Sequence, residues 1–226
     1  MRPTTIFVAA ATLLATLVPG CTSTPEPQAS PAVAEVPAPP PDARAETIAL
    51  MRRGTLVVGD PAPDFTLADT AGEGPMTLSA LRGKPVVLIF GSCTCPPFVR
   101  SMRATSALAR RYGDRVHFVM VYIREAHPTD GWAIPDNRFV VAAPRTIDER
   151  RAIARDFRRE LAPPMPLLVD TIESSVDDYA PFPNRMYIVD AAGLLAHVGE
   201  PGPQSTLTSA REAPAVLDRL LKRARP

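Results

Sequence analysis

The stretch VVLIFGSCTCPPF, residues 86–98, decides the fold. Its first five residues are all apolar, and a strand that is apolar at every position is buried on both faces, as in a parallel sheet. Residues 91–94 form a predicted turn, and the Pro96-Pro97 pair suits the first turn of a helix, where a missing amide proton costs nothing. The sequence therefore predicts a buried strand followed at once by a helix, with Cys93 and Cys95 between them.

The chain beyond this stretch continues an α/β pattern. We predict the first helix to run to Tyr112, then a strand at 116–123, a helix after the capping-box residues 146–149, a strand at 167–169, a hairpin over 186–198 and a last helix around 216–221. Parallel strands joined by a helix, followed by an antiparallel hairpin and a covering helix, make the thioredoxin arrangement. The predicted fold class is therefore α/β and thioredoxin-like, with a central mixed β-sheet flanked by helices.

The first twenty residues indicate export. Residues 6–18 are apolar or small, a run too short to span a bilayer comfortably but of the size of a signal-peptide core. The sequence LVPGC, residues 17–21, resembles the lipobox of bacterial lipoproteins, in which the cysteine, here Cys21, is lipidated and becomes the mature N-terminus. An ordinary cleaved signal or an uncleaved anchor is the alternative. We expect an exported bacterial lipoprotein, anchored to a membrane in the periplasm or cell envelope.

A linker follows the predicted lipidation site. Pro, Ala, Glu and Ser dominate residues 22–45, which cannot bury enough apolar surface to offset chain entropy. The expected organisation is a signal peptide over 1–20, a lipid-anchored, Pro/Ala-rich disordered linker over 21–50, and one thioredoxin-like domain over 51–226. The net charge of +1, with basic residues spread among acidic ones, gives no indication of a nucleic-acid surface.

The chain has three cysteines, and the domain holds only Cys93 and Cys95. A pair two residues apart is no disulfide framework, so we interpret it as a chemical site. Cys95 starts the predicted helix, where the macrodipole and free N–H groups lower the pKa of a thiol. Cys93 lies close enough to attack an oxidised Cys95, and the small ring of such a disulfide should be readily reducible.

Four segments, in order along the chain, resemble signatures of the iodothyronine deiodinases. They are FGSCTCPPF (90–98), VYIREAHPTDGW (121–132), VDT (169–171) and YAPFPNRMY (179–187). Cys95 stands where that family carries selenocysteine, and Arg124 replaces an acidic residue. The resemblance implies a thioredoxin-like enzyme that removes iodide reductively from an iodinated phenol.

The resemblance also implies roles for individual residues. Cys95 is the expected nucleophile, Cys93 the resolving thiol, and His127 the group for proton transfer or for binding a phenolate or carboxylate, since its unperturbed pKa lies near neutrality. Glu125 is a candidate to orient His127, and Trp132 either packs its loop down or forms an aromatic wall. Pro183 is expected in a cis peptide beside the cysteine. The predicted substrate-binding set is Ser92, Thr94, Glu125, Trp132, Pro183 and Arg185.

The expected partners follow from this chemistry. They are a halogenated aromatic substrate and an external thiol reductant, either a dithiol or a thioredoxin-like donor, with no cofactor and no metal. The membrane is contacted through the N-terminal lipid, and the sequence leaves the monomer and the homodimer both open.

Two other functions remain open at this level. GDPAPDF, residues 59–65, resembles the opening of peroxiredoxin-like peroxidases and thiol-disulfide oxidoreductases, and Ser92 stands where a peroxidatic hydroxyl would sit. However, Leu88 replaces the proline of the peroxidase motif, and a Cys-x-x-Cys pair is missing. A copper-delivery module would use Cys93, Cys95 and His127 as soft ligands, although that family resembles Cys-x-x-x-Cys.

Overall fold

A five-stranded mixed sheet forms the centre of the computed structural model, which describes residues 42–51 and 54–223. The strands are, in chain order, β1 (Thr66–Leu67), β2 (Met76–Thr77), β3 (Val86–Gly91), β4 (His117–Tyr122), β5 (Leu167–Val169), β6 (Arg185–Val189) and β7 (Leu195–Val198). The central sheet has the order β5-β4-β3-β6-β7. Strands β3, β4 and β5 are parallel, whereas β6 and β7 run antiparallel. The mixed α/β sheet expected from the sequence is therefore confirmed.

The helices are α1 (Ala43–Leu50), α2 (Pro96–Tyr112), α3 (Ile147–Leu161) and α4 (Ser205–Arg223). Both proline residues of the cysteine segment lie in the first turn of α2, as expected. The predicted capping box is also confirmed, since Thr146 accepts from the backbone N–H of Glu149 and the Glu149 carboxylate accepts from the backbone N–H of Thr146. The short β1–β2 pair was not expected, because two-residue strands carry no periodic signal.

Helices α2, α3 and α4 pack on one face of the sheet. The crossovers β3–α2–β4 and β4–α3–β5 move in the same direction across parallel strands, and right-handed crossovers then place both helices on one side. Ile89 of β3 accordingly packs in one cluster with Phe157 of α3 and Leu217 of α4. The next side chain, Phe90, packs with loop residues such as Tyr179 on the other face. The apolar run in β3 is thus buried on both sides, as its composition indicated.

Helix α1 lies inside the stretch 21–50 that we expected to be linker. Leu50 and Met51 pack against the main core cluster, and the Arg44 guanidinium lies 5.5 Å from the ring centre of Trp132. The prolines of this stretch all lie before its last eight residues, which contain several good helix formers. The average composition of the whole stretch therefore hid the helix. The chain is therefore already helical upstream of the boundary expected at residue 51.

The features predicted for export cannot be compared with the structure. The apolar run 6–18, Cys21 and most of the predicted linker lie outside the described residues. Within residues 42–51 and 54–223, no helix combines the length and apolar character that crossing a bilayer requires.

Candidate active site

The loop between β3 and α2 holds both thiols in the protein interior. The first turn of α2 can pack against the end of β3 because Gly91 has no side chain. A Cβ atom at Gly91 would lie 2.3 Å from the ring of Phe98. Cys95 is the N-cap residue of α2, and its N–H donates to the Ser92 carbonyl at 3.2 Å. Both cysteines are free thiols, Cys93 0% and Cys95 1% exposed. The two thiols thus lie between β3 and α2, as predicted, and both are buried.

Glu125 is the centre of a buried hydrogen-bond network that joins this loop to the end of β4. The Thr94 hydroxyl donates to Glu125 Oε2 at 2.5 Å, and the Thr94 N–H donates to the same oxygen at 3.2 Å. The Tyr122 hydroxyl donates to Oε1 at 2.6 Å and accepts from the Cys93 N–H at 3.2 Å. The Cys93 thiol completes the set as a donor to Oε2 at 3.7 Å.

This network makes Glu125 an acceptor for four donors, which suits a carboxylate. Burial raises the pKa of Glu125 above its ordinary value, while the hydrogen bonds from Thr94 and Tyr122 lower it. The carboxylate is therefore held in place by donors but is easier to protonate than an exposed one. A group of this kind can accept a proton from a neighbouring thiol.

The two thiols face different surroundings. Burial raises the pKa of Cys93, and the negative charge of Glu125 raises it further. Burial also raises the pKa of Cys95, but the backbone N–H of Phe98 and the side chain of Asn184 lower it. The expected lowering of the Cys95 pKa below its ordinary value is wrong, because the loss of water outweighs the helix N-terminus.

His127 lies beside this network but is not oriented by Glu125. Its Nδ1 lies 3.0 Å from the carbonyl oxygen of Trp132, and its ring meets the Trp132 ring edge-on at 4.8 Å between centres. A carbonyl only accepts, so Nδ1 carries the proton and Nε2 remains an acceptor in the neutral ring. Burial lowers the pKa of His127, which favours that neutral form. The expected Glu125–His127 pair is therefore replaced by a His127–Trp132 pair.

The remaining predicted substrate-binding residues differ in what they contact. The Phe182-Pro183 bond is cis, as expected. Ser92 is fully buried, and its hydroxyl has no hydrogen-bond partner among the described residues. Arg185 is 6% exposed and donates to the carbonyls of Gly199 and Ala180 at 2.7 and 3.2 Å. These bonds hold the loop around the cis peptide, and the expected contact of Arg185 with substrate stays a prediction.

Sequence reasoning missed two residues of the site. Tyr122 was part of a recognised segment, but nothing in it indicated that its hydroxyl would bridge Cys93 and Glu125. Asn184 donates from Nδ2 to Cys95 Sγ at 3.2 Å. Its position directly after Pro183 was a usable signal, because the thioredoxin fold brings that proline beside the cysteine.

A small cleft lies at the carboxyl edge of the sheet and includes Arg124, the residue directly before Glu125. It is lined by Ile123 and Arg124 after β4, by Arg150 of α3, by Phe182 before the cis proline and by Leu50 of α1. Ligands of α/β sheets commonly bind at the carboxyl ends of the strands.

Cys93, Cys95 and His127, the copper ligands of the third hypothesis, do not converge on one point. Across residues 42–51 and 54–223, no group of three His, Cys, Asp or Glu side chains converges as metal ligands would. Cys93 instead faces Glu125, and His127 faces Trp132. The geometry therefore gives the copper-delivery hypothesis no support.

Known proteins resemble this chain in sequence and in fold. The sequence model of the iodothyronine deiodinase family matches residues 51–221. The chain belongs to this family. Thyroxine 5-deiodinase of Rattus norvegicus is 36% identical over 148 residues, which is 64% of this chain and 48% of the rat protein. The Gallus gallus enzyme of the same name is 36% identical over 150 residues, covering 65% of this chain and 57% of the relative.

The chain thus spans about half the length of the curated deiodinases it matches. Among solved structures, a putative thiol:disulfide interchange protein DsbE from Chlorobium tepidum superposes with a TM-score of 0.51 at 20% identity, covering 72% of this chain and 99% of that one. At that identity the likeness speaks for the fold alone, which is thioredoxin-like as predicted. The resemblance to deiodinases inferred from the four segments is likewise confirmed.

Proposed function

We propose that this protein is a thiol-dependent reductive dehalogenase of iodinated or otherwise halogenated phenols, with Cys95 as its nucleophile. The observation that carries the proposal is the buried Glu125 network beside the cysteine pair. It gives one thiol, Cys93, a proton acceptor and leaves the other, Cys95, beside hydrogen-bond donors. Membership of the deiodinase family supports the substrate class.

In the first step the Cys95 thiolate attacks the halogen of the substrate. The sulfur–iodine bond forms as the carbon–iodine bond breaks, and the electron pair of that bond stays on the ring carbon. In net balance this carbon takes up the proton that the Cys95 thiol lost on forming its thiolate. The products are the dehalogenated phenol and a sulfenyl iodide on Cys95. Neutral His127 is suited to accept a hydrogen bond from the phenol hydroxyl at Nε2, because its Nδ1 is engaged by Trp132.

In the second step Cys93 resolves the sulfenyl iodide. Its sulfur attacks Cys95, the disulfide forms, iodide leaves and the thiol proton passes to Glu125, its hydrogen-bond acceptor. The enzyme has then supplied two electrons and must receive two. We propose an external dithiol or a thioredoxin-like donor as the reductant.

Thiol–disulfide exchange is the second candidate function. Two free thiols in one loop at the start of α2 favour it, since the same pair can cycle between dithiol and disulfide without any halogenated substrate. The same loop would also serve a peroxidase, with Ser92 beside the thiols.

The cellular setting remains part of the proposal. We propose export and lipidation at Cys21, which would tether the enzyme to a membrane by the segment before α1. Such a location would expose the site to small aromatic molecules from outside the cell. The monomer and the homodimer are both compatible with a site built from one chain.

A turnover screen tests the proposed function. Purified Cys21→Ser protein, which lacks the third thiol, is given dithiothreitol with iodinated phenols, hydroperoxides or protein disulfides, and product is measured for each. We expect release of iodide from the phenols, absent in a Cys95→Ala, Cys21→Ser variant. Turnover of disulfides or peroxides with no dehalogenation would instead favour the second candidate function.

A further inference from the structure

Asn184 fixes the surroundings of the Cys95 sulfur from the opposite side of the site. It is 1% exposed and lies between the cis proline and the first residue of β6. One amide hydrogen of Nδ2 points to Cys95 Sγ at 3.2 Å, and the other to the Pro203 carbonyl at 2.8 Å. The side-chain oxygen Oδ1 accepts from the backbone N–H of Thr206 at 3.0 Å. Both N–H groups and the oxygen of the amide are thus hydrogen-bonded.

The orientation of this amide follows from its partners. A backbone N–H only donates and a backbone carbonyl only accepts, so Oδ1 must face Thr206 and Nδ2 must face Pro203. A flipped amide would oppose donor to donor at Thr206 and acceptor to acceptor at Pro203. The group next to the sulfur is therefore an N–H donor.

Asn184 also links Cys95 to a second helix N-terminus. Cys95 caps α2, and Thr206, which holds Oδ1, lies in the first turn of α4. Hydrogen bonds in a chain polarise one another, so a bond at Oδ1 strengthens the donor at Nδ2. The free N–H groups at the start of a helix favour negative charge, and the amide passes part of that effect to the sulfur.

The two cysteines thereby differ in the sign of their neighbours. Cys93 faces a carboxylate, which favours its neutral thiol, whereas Cys95 faces the Asn184 donor, which favours its thiolate. Both thiols are buried to the same extent, so burial does not distinguish them. The asymmetry between the two thiols therefore comes from these two side chains together with the backbone N–H of Phe98 beside Cys95.

We propose that Asn184 is a catalytic residue: its side-chain amide donates a hydrogen bond to the Cys95 sulfur and stabilises the thiolate that makes the attack. The assignment deepens the proposed function, on which it rests for the identity of the reaction. The thiolate itself is a property of the free protein. It can therefore be measured without any halogenated substrate.

The test is the pH dependence of Cys95 alkylation in the full chain. Iodoacetamide labelling of Cys95 is followed by mass spectrometry in the parent protein, Asn184→Ala and Asn184→Asp, after circular dichroism has verified folding. We expect the apparent pKa of Cys95 to rise by about one unit or more in Asn184→Ala, a fall of about tenfold in labelling rate below that pKa. Asn184→Asp keeps the size of the side chain but removes the donor, so its rise should be larger still.

Ser209→Ala is the matched control. Ser209 is equally buried in α4 and loses a hydrogen bond to His197 of 2.9 Å, but it does not contact Cys95. Its labelling profile should equal that of the parent protein. If Asn184 only held the loop together, both Asn184 variants would label Cys95 faster at every pH, because a looser loop exposes the thiol.

Two outcomes would overturn the proposal. One is an unchanged pH profile of Cys95 labelling in both Asn184 variants, and the other is faster Cys95 labelling at every pH in both variants. If one variant does not fold, the other decides. A shifted profile in a protein that fails to dehalogenate any phenol would uphold the role of Asn184 and reject the proposed function. Dehalogenation with unshifted profiles would do the reverse.

Discussion

Cys93 and Cys95 share one loop but stand beside groups of opposite hydrogen-bonding character, and the roles proposed for them rest on this difference. Cys93 donates to Glu125, while Cys95 accepts from Asn184. A thiol beside an anion is a poor attacking group until that anion takes its proton. The geometry thus supports attack by Cys95 and resolution by Cys93.

The division of labour predicts different results for the two alanine variants. Cys95→Ala should abolish the single-turnover burst of iodide, because Cys93, the other thiol of the loop, is held as a neutral donor to Glu125. Cys93→Ala should keep the burst but make the steady-state rate depend steeply on added small thiol. The double variant should behave as Cys95→Ala. A full burst from Cys95→Ala together with none from Cys93→Ala would reverse the two assignments.

Helix α1 is the element whose contribution composition most underestimated. It touches the site at Trp132 through Arg44 and reaches the core through Leu50 and Met51. An exposed cation–π contact contributes about 0.5–1 kcal/mol. Partly buried apolar side chains add to this through their removal from water. The helix is therefore expected to stabilise the loop that carries His127.

Two truncations separate α1 from the segment before it. Removing residues 1–41 should leave the melting temperature and Cys95 labelling unchanged. Removing residues 1–51 should lower the free energy of unfolding by about 1–3 kcal/mol, from the lost burial of Leu50 and Met51, and should speed labelling. Differential scanning calorimetry and mass spectrometry measure the two quantities. Equal melting temperatures for both truncations would show that α1 contributes nothing to stability.

At the scale of the whole molecule, the buried thiols make the free energy of unfolding pH-dependent in the alkaline range. The folded pKa of each cysteine lies above the ordinary value of 9.0. As pH rises through that value the unfolded chain loses protons that the folded chain keeps. The folded state then binds more protons, so the free energy of unfolding falls with rising pH.

Above pH 9 we expect the free energy of unfolding to fall with a slope that approaches about 1.4 kcal/mol per pH unit for each thiol. Urea unfolding of reduced protein between about pH 8 and pH 10 measures it. Cys93→Ala should show a clearly shallower decline than the parent, since one of the two thiols is gone. An identical decline in the two proteins would mean that Cys93 ionises in the folded state and that its pKa is not raised.

The sequence by itself determined the order of elements from β3 to α4 and the place of the cysteine pair. These features are local: a run of apolar residues, two prolines at a helix start, a capping box at Thr146 and Glu149. The resemblance of four collinear segments then identified the family, and it also led to the cis Pro183. Each of these signals occupies a few neighbouring residues and needs no knowledge of what packs against them.

Only the tertiary structure decided what the two sulfurs contact. Tyr122 is 29 positions from Cys93, and Asn184 is 89 positions from Cys95, yet both lie within hydrogen-bond distance. The pairing of His127 with Trp132 instead of Glu125 was decided in the same way, by the path of the chain after β4. So was the pKa of Cys95, because the helix N-terminus is a local feature whereas burial sums over every neighbour that excludes water.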